Sequence, residues 1–249
     1  MKIAQGLETL ELPLEFFVNR NQIHPTLVWD ANTVMLVDAG FPGQFEELRA
    51  AMEKAGVAFN RLKLVVMTHH DIGHIGNLAA LRQAGGGNIR VLAHEAEKPY
   101  IQGERPPLKF TPERMAQINA RLDALPEAER QAIKAKFENL GTPVDSLVSD
   151  GQELPCCGGI FIIHTPGHTP GHICLYLQKY RTLVAGDALN VVEGQLQGPN
   201  VQNSHDLKAA LASLEKFTRY DIETVICYHG GVFSHGVNAR LAALARGQA

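Results

Sequence analysis

Histidine and aspartate, residue types that ligate catalytic metals, are concentrated in four short segments of this chain. The segments are "THHDIGHIG" at 68–76, "TPGHTPGH" at 165–172, "AGD" at 185–187 and "YHGG" at 228–231. Six residues in them could ligate metal together: His69, Asp71, His74, His168, Asp187 and His229. Any one alone could be a hydrogen-bonded core residue, but the set predicts a centre with imidazole and carboxylate ligands.

The candidate ligands stand at the ends of predicted strands. An apolar run such as "RLKLVVM" or "ETVIC" stops before each segment, and a loop that contains glycine follows. Runs of this kind are typical of buried strands. Because strand ends at one edge of a sheet lie close together, we expect the four segments to meet in space.

Strand-like and helix-like segments alternate along most of the chain. The run "HPTLVWDANTVMLVDAG" predicts two strands around a turn at 30–32, and helical spacing over 45–56 predicts a helix that ends at a glycine. A further helix is predicted in "SHDLKAALASLEKF", with Ser204 or His205 as its N-cap.

The segment 111–140 has a different character, because it contains two successive helical patterns. Thr111 precedes Pro112 as the predicted N-cap, and a second helix is expected after Pro126. This helical hairpin separates two halves of similar make-up, with no linker that would indicate a second domain. We therefore predict one α/β domain over 1–249, a four-layer αββα sandwich with a helical insertion.

Composition narrows the classes of partner. The formal net charge is -3 and no long basic run occurs, so we expect no binding to nucleic acid or to an anionic membrane. The N-terminal segment lacks the apolar core of a secretory signal, and the four cysteines form no C-x-x-C pair. We expect a cytoplasmic protein that acts on a small-molecule substrate; the sequence does not predict its oligomeric state.

Taken together, the four segments resemble the motifs of the metallo-β-lactamase-fold hydrolases over essentially the whole chain. That family reads T-H-x-H-x-D-H-x-G, then T-P-G-H-T-x-G-H, then G-D, then a histidine before glycine. Here Asp71 stands at the second histidine position and Gly73 at the aspartate position. The chain therefore resembles a divergent subgroup with H-x-D-x-G-H, a "KPYIQGE" segment and a helical insertion.

The resemblance implies two divalent metal ions with Asp187 as the bridging ligand. His69, Asp71 and His168 would complete the first site, and His74 and His229 the second. Zinc is the expected metal, and the added carboxylate of Asp71 also suits Fe or Mn. Asp71 and Asp187 are the expected catalytic residues.

Residues beside the candidate ligands are expected to have supporting roles. His70 should face away from the metals, because adjacent side chains of an extended segment point to opposite sides. His172 and Asp38 are expected to hydrogen-bond near the ligands without ligating. Gly73 is either required by a tight turn or marks the loss of a catalytic carboxylate.

The expected reaction is hydrolysis of a small carboxylic ester, lactone or thioester by a metal-bound hydroxide. The sequence contains no G-x-S-x-G motif that would supply a serine nucleophile instead. Two alternatives remain at this level. His69, His168 and Asp187 could hold a single iron, as in the sulfur dioxygenases of the family, or the loss at Gly73 could leave a protein that binds metal without catalysis.

Overall fold

Two β-sheets lie face to face in the computed structural model of this protein, which describes residues 1–14 and 21–247. In chain order the described strands are β1 (Lys2–Ala4), β2 (Leu7–Thr9), β3 (Leu12–Leu14), β4 (Asn21–Ile23), β5 (Thr26–Trp29), β6 (Val34–Val37), β7 (Leu62–Val66), β8 (Arg90–His94), β9 (Ser146–Val148), β10 (Glu153–Leu154), β11 (Ile160–His164), β12 (Ile173–Leu177), β13 (Thr182–Gly186), β14 (Asn190–Val192), β15 (Gln195–Gln197), β16 (Thr224–Cys227) and β17 (Gly231–Phe233). One sheet has the spatial order β1-β2-β5-β6-β7-β8-β9, and the other has the order β10-β11-β12-β13-β16-β17.

Helices cover the outer faces of both sheets. The described α-helices are α1 (Phe45–Lys54), α2 (Ile72–Ile75), α3 (Leu78–Ala84), α4 (Lys98–Ile101), α5 (Pro112–Asp123), α6 (Glu127–Lys136), α7 (Leu207–Ser213) and α8 (Val237–Ala245). None of these helices is both long enough and apolar enough to span a bilayer.

Three apolar clusters define the layers. The central cluster joins side chains from both sheets, such as Val66 of β7 and Ile226 of β16. An outer cluster packs α1 and α3 on the first sheet, and a third packs α8 on the second sheet. The predicted αββα sandwich is therefore confirmed, with buried apolar faces between all four layers.

Parallel pairing brings the predicted ligand segments to one end of the sandwich. Strands β6, β7 and β8 are parallel neighbours in the first sheet, and β13 and β16 are parallel neighbours in the second. The carboxyl ends of parallel neighbours lie at the same edge of each sheet, and the face-to-face packing of the sheets brings the residues after β7, β13 and β16 together at one end of the sandwich. This arrangement explains why local motifs far apart in sequence can build one site.

Most predicted elements agree with the structure, and one predicted cap is wrong. The turn at 30–32 joins β5 and β6, and the hydroxyl of Thr111 accepts the Arg114 N–H at 3.3 Å as the N-cap of α5. The cap of α7 is Asp206, not Ser204 or His205, because the Asp206 carboxylate accepts the Ala209 N–H at 2.9 Å. The assignment of one domain to 1–249 stays a prediction.

Candidate metal centre

The loop after β7 carries the first three candidate ligands. His69 lies in the loop that follows β7, Asp71 has extended backbone, and the single helical turn of α2 then places His74 three residues beyond Asp71. The Asp71 carbonyl accepts the His74 N–H at 2.8 Å, which closes this turn. An extended segment followed by one helical turn thus turns three side chains toward one region.

His168 reaches the same region from the loop between β11 and β12. Gly167 adopts φ +140°, and a Cβ atom there would lie 2.2 Å from the Ala210 nitrogen. Only glycine lets the loop approach α7 this closely. The Gly167 carbonyl accepts the Asp206 N–H at 2.8 Å, and the His168 carbonyl accepts the His205 N–H at 3.2 Å. The start of α7 therefore holds the loop that carries His168.

The first candidate cluster contains His69, Asp71, His168 and Asp187, whose ligand atoms all lie within 4.8 Å of one another. Asp71 Oδ2 lies 3.2 Å from His69 Nε2 and 3.0 Å from His168 Nε2. His168 Nε2 in turn lies 3.3 Å from Asp187 Oδ2. Two imidazoles and two carboxylates are thus directed at one point.

A second cluster contains His74, Asp187 and His229, again within 4.8 Å. Asp187 Oδ1 lies 3.4 Å from His74 Nε2 and 3.6 Å from His229 Nε2. Asp187 faces the first cluster with Oδ2 and the second with Oδ1. All six predicted ligands therefore lie in two adjacent clusters that share Asp187, as a bridged metal pair requires.

The donor atoms fit metal ions because several have no hydrogen-bond partner among the described residues. His69 Nε2, His74 Nε2 and Asp187 Oδ1 are buried in this state. Leaving a buried polar atom unsatisfied costs about 1–3 kcal/mol. Three such atoms directed at the same two clusters are accounted for by divalent cations, and metal binding by these residues stays a prediction.

Asp38 orients the histidines, as predicted. Its carboxylate accepts a hydrogen bond from His74 Nδ1 at 2.8 Å and from the Thr68 hydroxyl at 2.8 Å. The Thr68 oxygen accepts in turn from His69 Nδ1 at 2.9 Å. With Nδ1 engaged in both rings, His69 and His74 present Nε2 to the clusters.

His172 supports Asp187 without being part of either cluster. Its Nε2 accepts the Asp187 N–H at 3.1 Å, and its Nδ1 lies 2.8 Å from the Thr165 hydroxyl oxygen. Burial holds the pKa of His172 well below its usual value. The neutral imidazole accepts a hydrogen bond from the Asp187 backbone and so fixes the position from which the Asp187 side chain extends.

The charge balance of the clusters favours ionised aspartates. Burial opposes ionisation of Asp187, but the neighbouring His229, His74 and His168 outweigh it and hold its pKa well below its usual value. The pKa of Asp71 is also well below its usual value, because His69, His168 and Lys109 outweigh burial. Burial similarly opposes the charged form of His74, yet Asp38 and Asp187 raise its pKa to about 10.

Gly73 is not required by the backbone. Its φ lies outside the left-handed region, and a Cβ atom built there would meet only Phe41 Cδ2, at 3.9 Å, among the described residues. A side chain therefore fits at this position. Of the two explanations for Gly73, the structure favours the loss of a carboxylate over a constraint of the turn.

His70 faces away from both clusters, as the alternation along an extended segment predicts. It is fully buried, and its ring stacks on Tyr100 with centroids 4.3 Å apart. Both its backbone N–H and its Nδ1 contact Oε2 of Glu97. The other Glu97 oxygen accepts from the Thr169 hydroxyl at 2.8 Å and the Gly171 N–H at 2.7 Å.

Sequence reasoning missed two charged residues at this end of the sandwich. Glu97 is fully buried and connects the His69–His74 loop to the His168 loop. Lys109 contacts Oδ2 of Asp71, and its Nζ lies 2.8 Å from His168 Nε2. The segment "KPYIQGE" begins one residue after Glu97 and was a usable signal, whereas a lone lysine in "PPLKF" carries none.

Comparisons with known proteins agree with this fold. The family model described as "Metallo-beta-lactamase superfamily" matches residues 18–229. A probable metallo-hydrolase of Bacillus subtilis, YflN, is 30% identical over 81% of this chain and 76% of its own. A hydroxyacylglutathione hydrolase of Brucella ovis is 24% identical over 72% of this chain and 52% of its own.

Among solved structures, a metallo-β-lactamase family protein of Thermus thermophilus (TTHA1429) superposes with a TM-score of 0.71. The match covers 99% of this chain and 80% of that one, at 25% sequence identity. Two ligand clusters that share an aspartate at one end of an αββα sandwich are thus accompanied by a family match over most of the sequence. This chain belongs to the metallo-β-lactamase superfamily.

Proposed function

We propose that this protein is a metal-dependent hydrolase of small carboxylic esters, lactones or thioesters. The observation that carries the proposal is the pair of clusters that share Asp187 and contain buried donor atoms without hydrogen-bond partners among the described residues. We propose two divalent ions, zinc first, because imidazoles and carboxylates predominate among the ligands. Asp71 gives the first site a second carboxylate and makes iron or manganese chemically suitable there as well.

When bound, a divalent pair lowers the pKa of a coordinated water to about 7 and polarises a carbonyl oxygen. The protein's own residues supply position. Asp187 would contribute one carboxylate oxygen to each site, and Asp38 and His172 hydrogen-bond to His74 and to the Asp187 backbone and so hold these candidate ligands in orientation. Gly73 offers no carboxylate that could pass a proton to a leaving group, so we propose a preference for substrates with good leaving groups.

The substrate class is supported by similarity and by charge. One relative is a hydroxyacylglutathione hydrolase, which supports thioesters as members of the class. The small net charge argues against polyanionic substrates. We propose lactones and simple esters as the primary substrates and thioesters as the second choice.

A mononuclear iron dioxygenase is the competing proposal. It would use His69, His168 and Asp187 and needs open positions for oxygen and substrate. Asp71 fills a position beside the same ligands, 3.0 Å from His168 Nε2. The four-residue first cluster therefore favours the hydrolase.

The decisive experiment combines metal analysis of the purified protein with a panel of lactones, aryl esters, alkyl esters and acyl thioesters. We expect close to two metals per chain, turnover of at least one class, and loss of turnover in Asp187→Asn. Full metal occupancy without turnover of any class would support a protein that binds metal but does not catalyse. Bound iron with oxygen uptake on persulfides would support the dioxygenase.

A further inference from the structure

We infer that the ammonium group of Lys109 occupies the first metal site in the metal-free protein. It neutralises the aspartates there and is displaced when metal binds. The inference rests on the proposed metal centre and adds a competing group to it. Lys109 lies just before α5, in the loop that leads into the helical insertion. Displacement of Lys109 by a metal would therefore move the loop that leads into the helical insertion.

The contacts of Lys109 are made with ligand atoms. Its Nζ contacts Asp71 Oδ2 and lies 2.8 Å from His168 Nε2, two of the atoms assigned to the first metal. Metal-to-ligand bonds to nitrogen and oxygen are about 2.0–2.2 Å long. A metal bonded to these two atoms would therefore occupy the space of the ammonium group. The two cations exclude each other by volume and by charge.

The ammonium group also meets an electrostatic need. Asp71 and Asp187 bring two carboxylates into one largely buried cluster, with side-chain exposures of 15% and 11%. Buried charges require a partner of opposite sign. Lys109 is such a partner while no metal is present, and a divalent ion takes over the role when it binds.

His70, on the far side of the ligand loop, contacts the backbone directly before Lys109. Glu97 engages Nδ1 of His70, so His70 Nε2 is free to accept, and the Leu108 N–H lies 3.4 Å from it. Tyr100 stacks on the same ring at 4.3 Å. His70, which is not a ligand, thus anchors the backbone directly before Lys109, and this gives the extra histidine of "THHD" a positioning role.

Two opposite effects follow when the charge of Lys109 is removed. In Lys109→Met the metal-free protein loses the partner of Asp71 and should unfold at a lower urea concentration. The same variant should bind its first zinc more tightly, on the order of tenfold, because no competing cation has to leave. A residue with a purely structural role would lower stability without raising metal affinity.

The test uses metal-free full-length protein and zinc titrated against a chromophoric chelator of known affinity. Lys109→Arg keeps the charge and should bind zinc close to wild type. Lys134→Met removes an exposed charge on α6 and serves as the matched control. Equal zinc affinity in wild type and Lys109→Met would overturn the inference and leave the hydrolase proposal standing. No zinc binding by either protein would overturn the metal centre and this inference together.

A second measurement uses the wild-type protein and does not depend on the folding of a variant. Amine-selective labelling followed by peptide mass spectrometry should modify Lys109 several-fold faster after zinc is added, because its ammonium group leaves the cluster. Lys134 should be labelled equally fast with and without zinc. Unchanged or slower labelling of Lys109 in the zinc-loaded protein would overturn the inference.

Discussion

At the scale of single residues, Gly73 marks the departure of this chain from the ligand pattern of its family. The backbone tolerates a side chain here, and the nearest described atom to a built Cβ is 3.9 Å away. The second cluster has three candidate ligands where the first has four. We therefore expect the missing carboxylate to weaken metal binding at the site that contains His74 and His229.

We expect Gly73→Asp to raise the affinity for the second metal by more than about tenfold. An effect of about tenfold is typical of a residue that only hydrogen-bonds to a metal ligand. The added carboxylate would supply both a ligand and a proton acceptor. Metal stoichiometry and affinity measured by chelator competition check this, with Gly73→Ala as the control for helix propensity. If stoichiometry and hydrolytic rate are both unchanged in Gly73→Asp, our explanation of Gly73 is wrong.

His74 makes the affinity of the second site depend on pH. Burial is outweighed by Asp38 and Asp187, and the resulting pKa of about 10 keeps His74 protonated at neutral pH in the metal-free protein. A metal binds Nε2 only after a proton has left. Because the pKa is raised, affinity for the second metal should increase by about tenfold per pH unit between about pH 6.5 and 8.5.

The prediction is checked by measuring zinc affinity across that pH range. Calorimetry in buffers of different ionisation enthalpy measures the protons released on binding. The first site is the internal reference. Burial holds the pKa of His69 well below its usual value, so that histidine has no proton to release. Asp38→Asn removes one of the two carboxylates and should flatten the dependence. A pH-independent second site in the wild type would contradict the assignment.

At the scale of elements, the candidate centre is assembled from loops that belong to different sheets, and Glu97 connects them. One oxygen accepts from the His70 backbone at 2.9 Å, and the other accepts from Gly171 at 2.7 Å. The carboxylate is fully buried and makes four hydrogen bonds in all. It therefore joins the two loops that carry the candidate ligands His69 and His168.

We expect Glu97→Gln to lower both the stability of the metal-free protein and the affinity for the first metal. The amide offers one accepting oxygen where the carboxylate offered two, so buried donors lose partners at about 1–3 kcal/mol each. Urea unfolding and zinc titration measure the two effects, and Glu95→Gln, an exposed neighbour, is the control. Loss of stability with unchanged zinc affinity would show that Glu97 does not position the ligands.

The helical insertion was predicted within its bounds, because both of its helices carry local signals. Thr111 and Pro112 mark the start of α5, and Pro126 separates α5 from α6. The cap of α7 was assigned wrongly because Ser204, His205 and Asp206 are consecutive, and cap preferences do not choose among neighbours. The backbone of Asp206 is extended, and this conformation depends on its contacts with the loop that carries His168.

At the scale of the whole molecule, the candidate metal centre contains residues from both halves of the sandwich. His69 and Asp71 follow a strand of the first sheet, while His168 and Asp187 belong to the second. A bound ion would therefore connect residues far apart in the chain, as the 97-residue separation of Asp71 and His168 illustrates. Metal should stabilise the fold as a whole.

We expect zinc at about 100 times its dissociation constant to add about 2.7 kcal/mol to the free energy of unfolding. A chelator should remove this increment, and Asp187→Asn should not show it. Asp123→Asn removes an exposed carboxylate on α5 and should retain it. Urea unfolding with and without zinc is the measurement, and an unchanged midpoint in the wild type would contradict a metal that joins the two sheets.

The sequence by itself determined the layer architecture and the six candidate ligands, because both depend on local patterns. Apolar runs, caps and glycine stops specify strands and helices, and histidines placed at strand ends meet once the two sheets pack face to face. The tertiary structure decided the contacts of Lys109 and Glu97 and the space beside Gly73. Lys109 and Glu97 make contacts with residues from distant parts of the chain, such as the contact between Lys109 and Asp71. At Gly73 what matters is the space beside the backbone. No local sequence pattern encodes either feature.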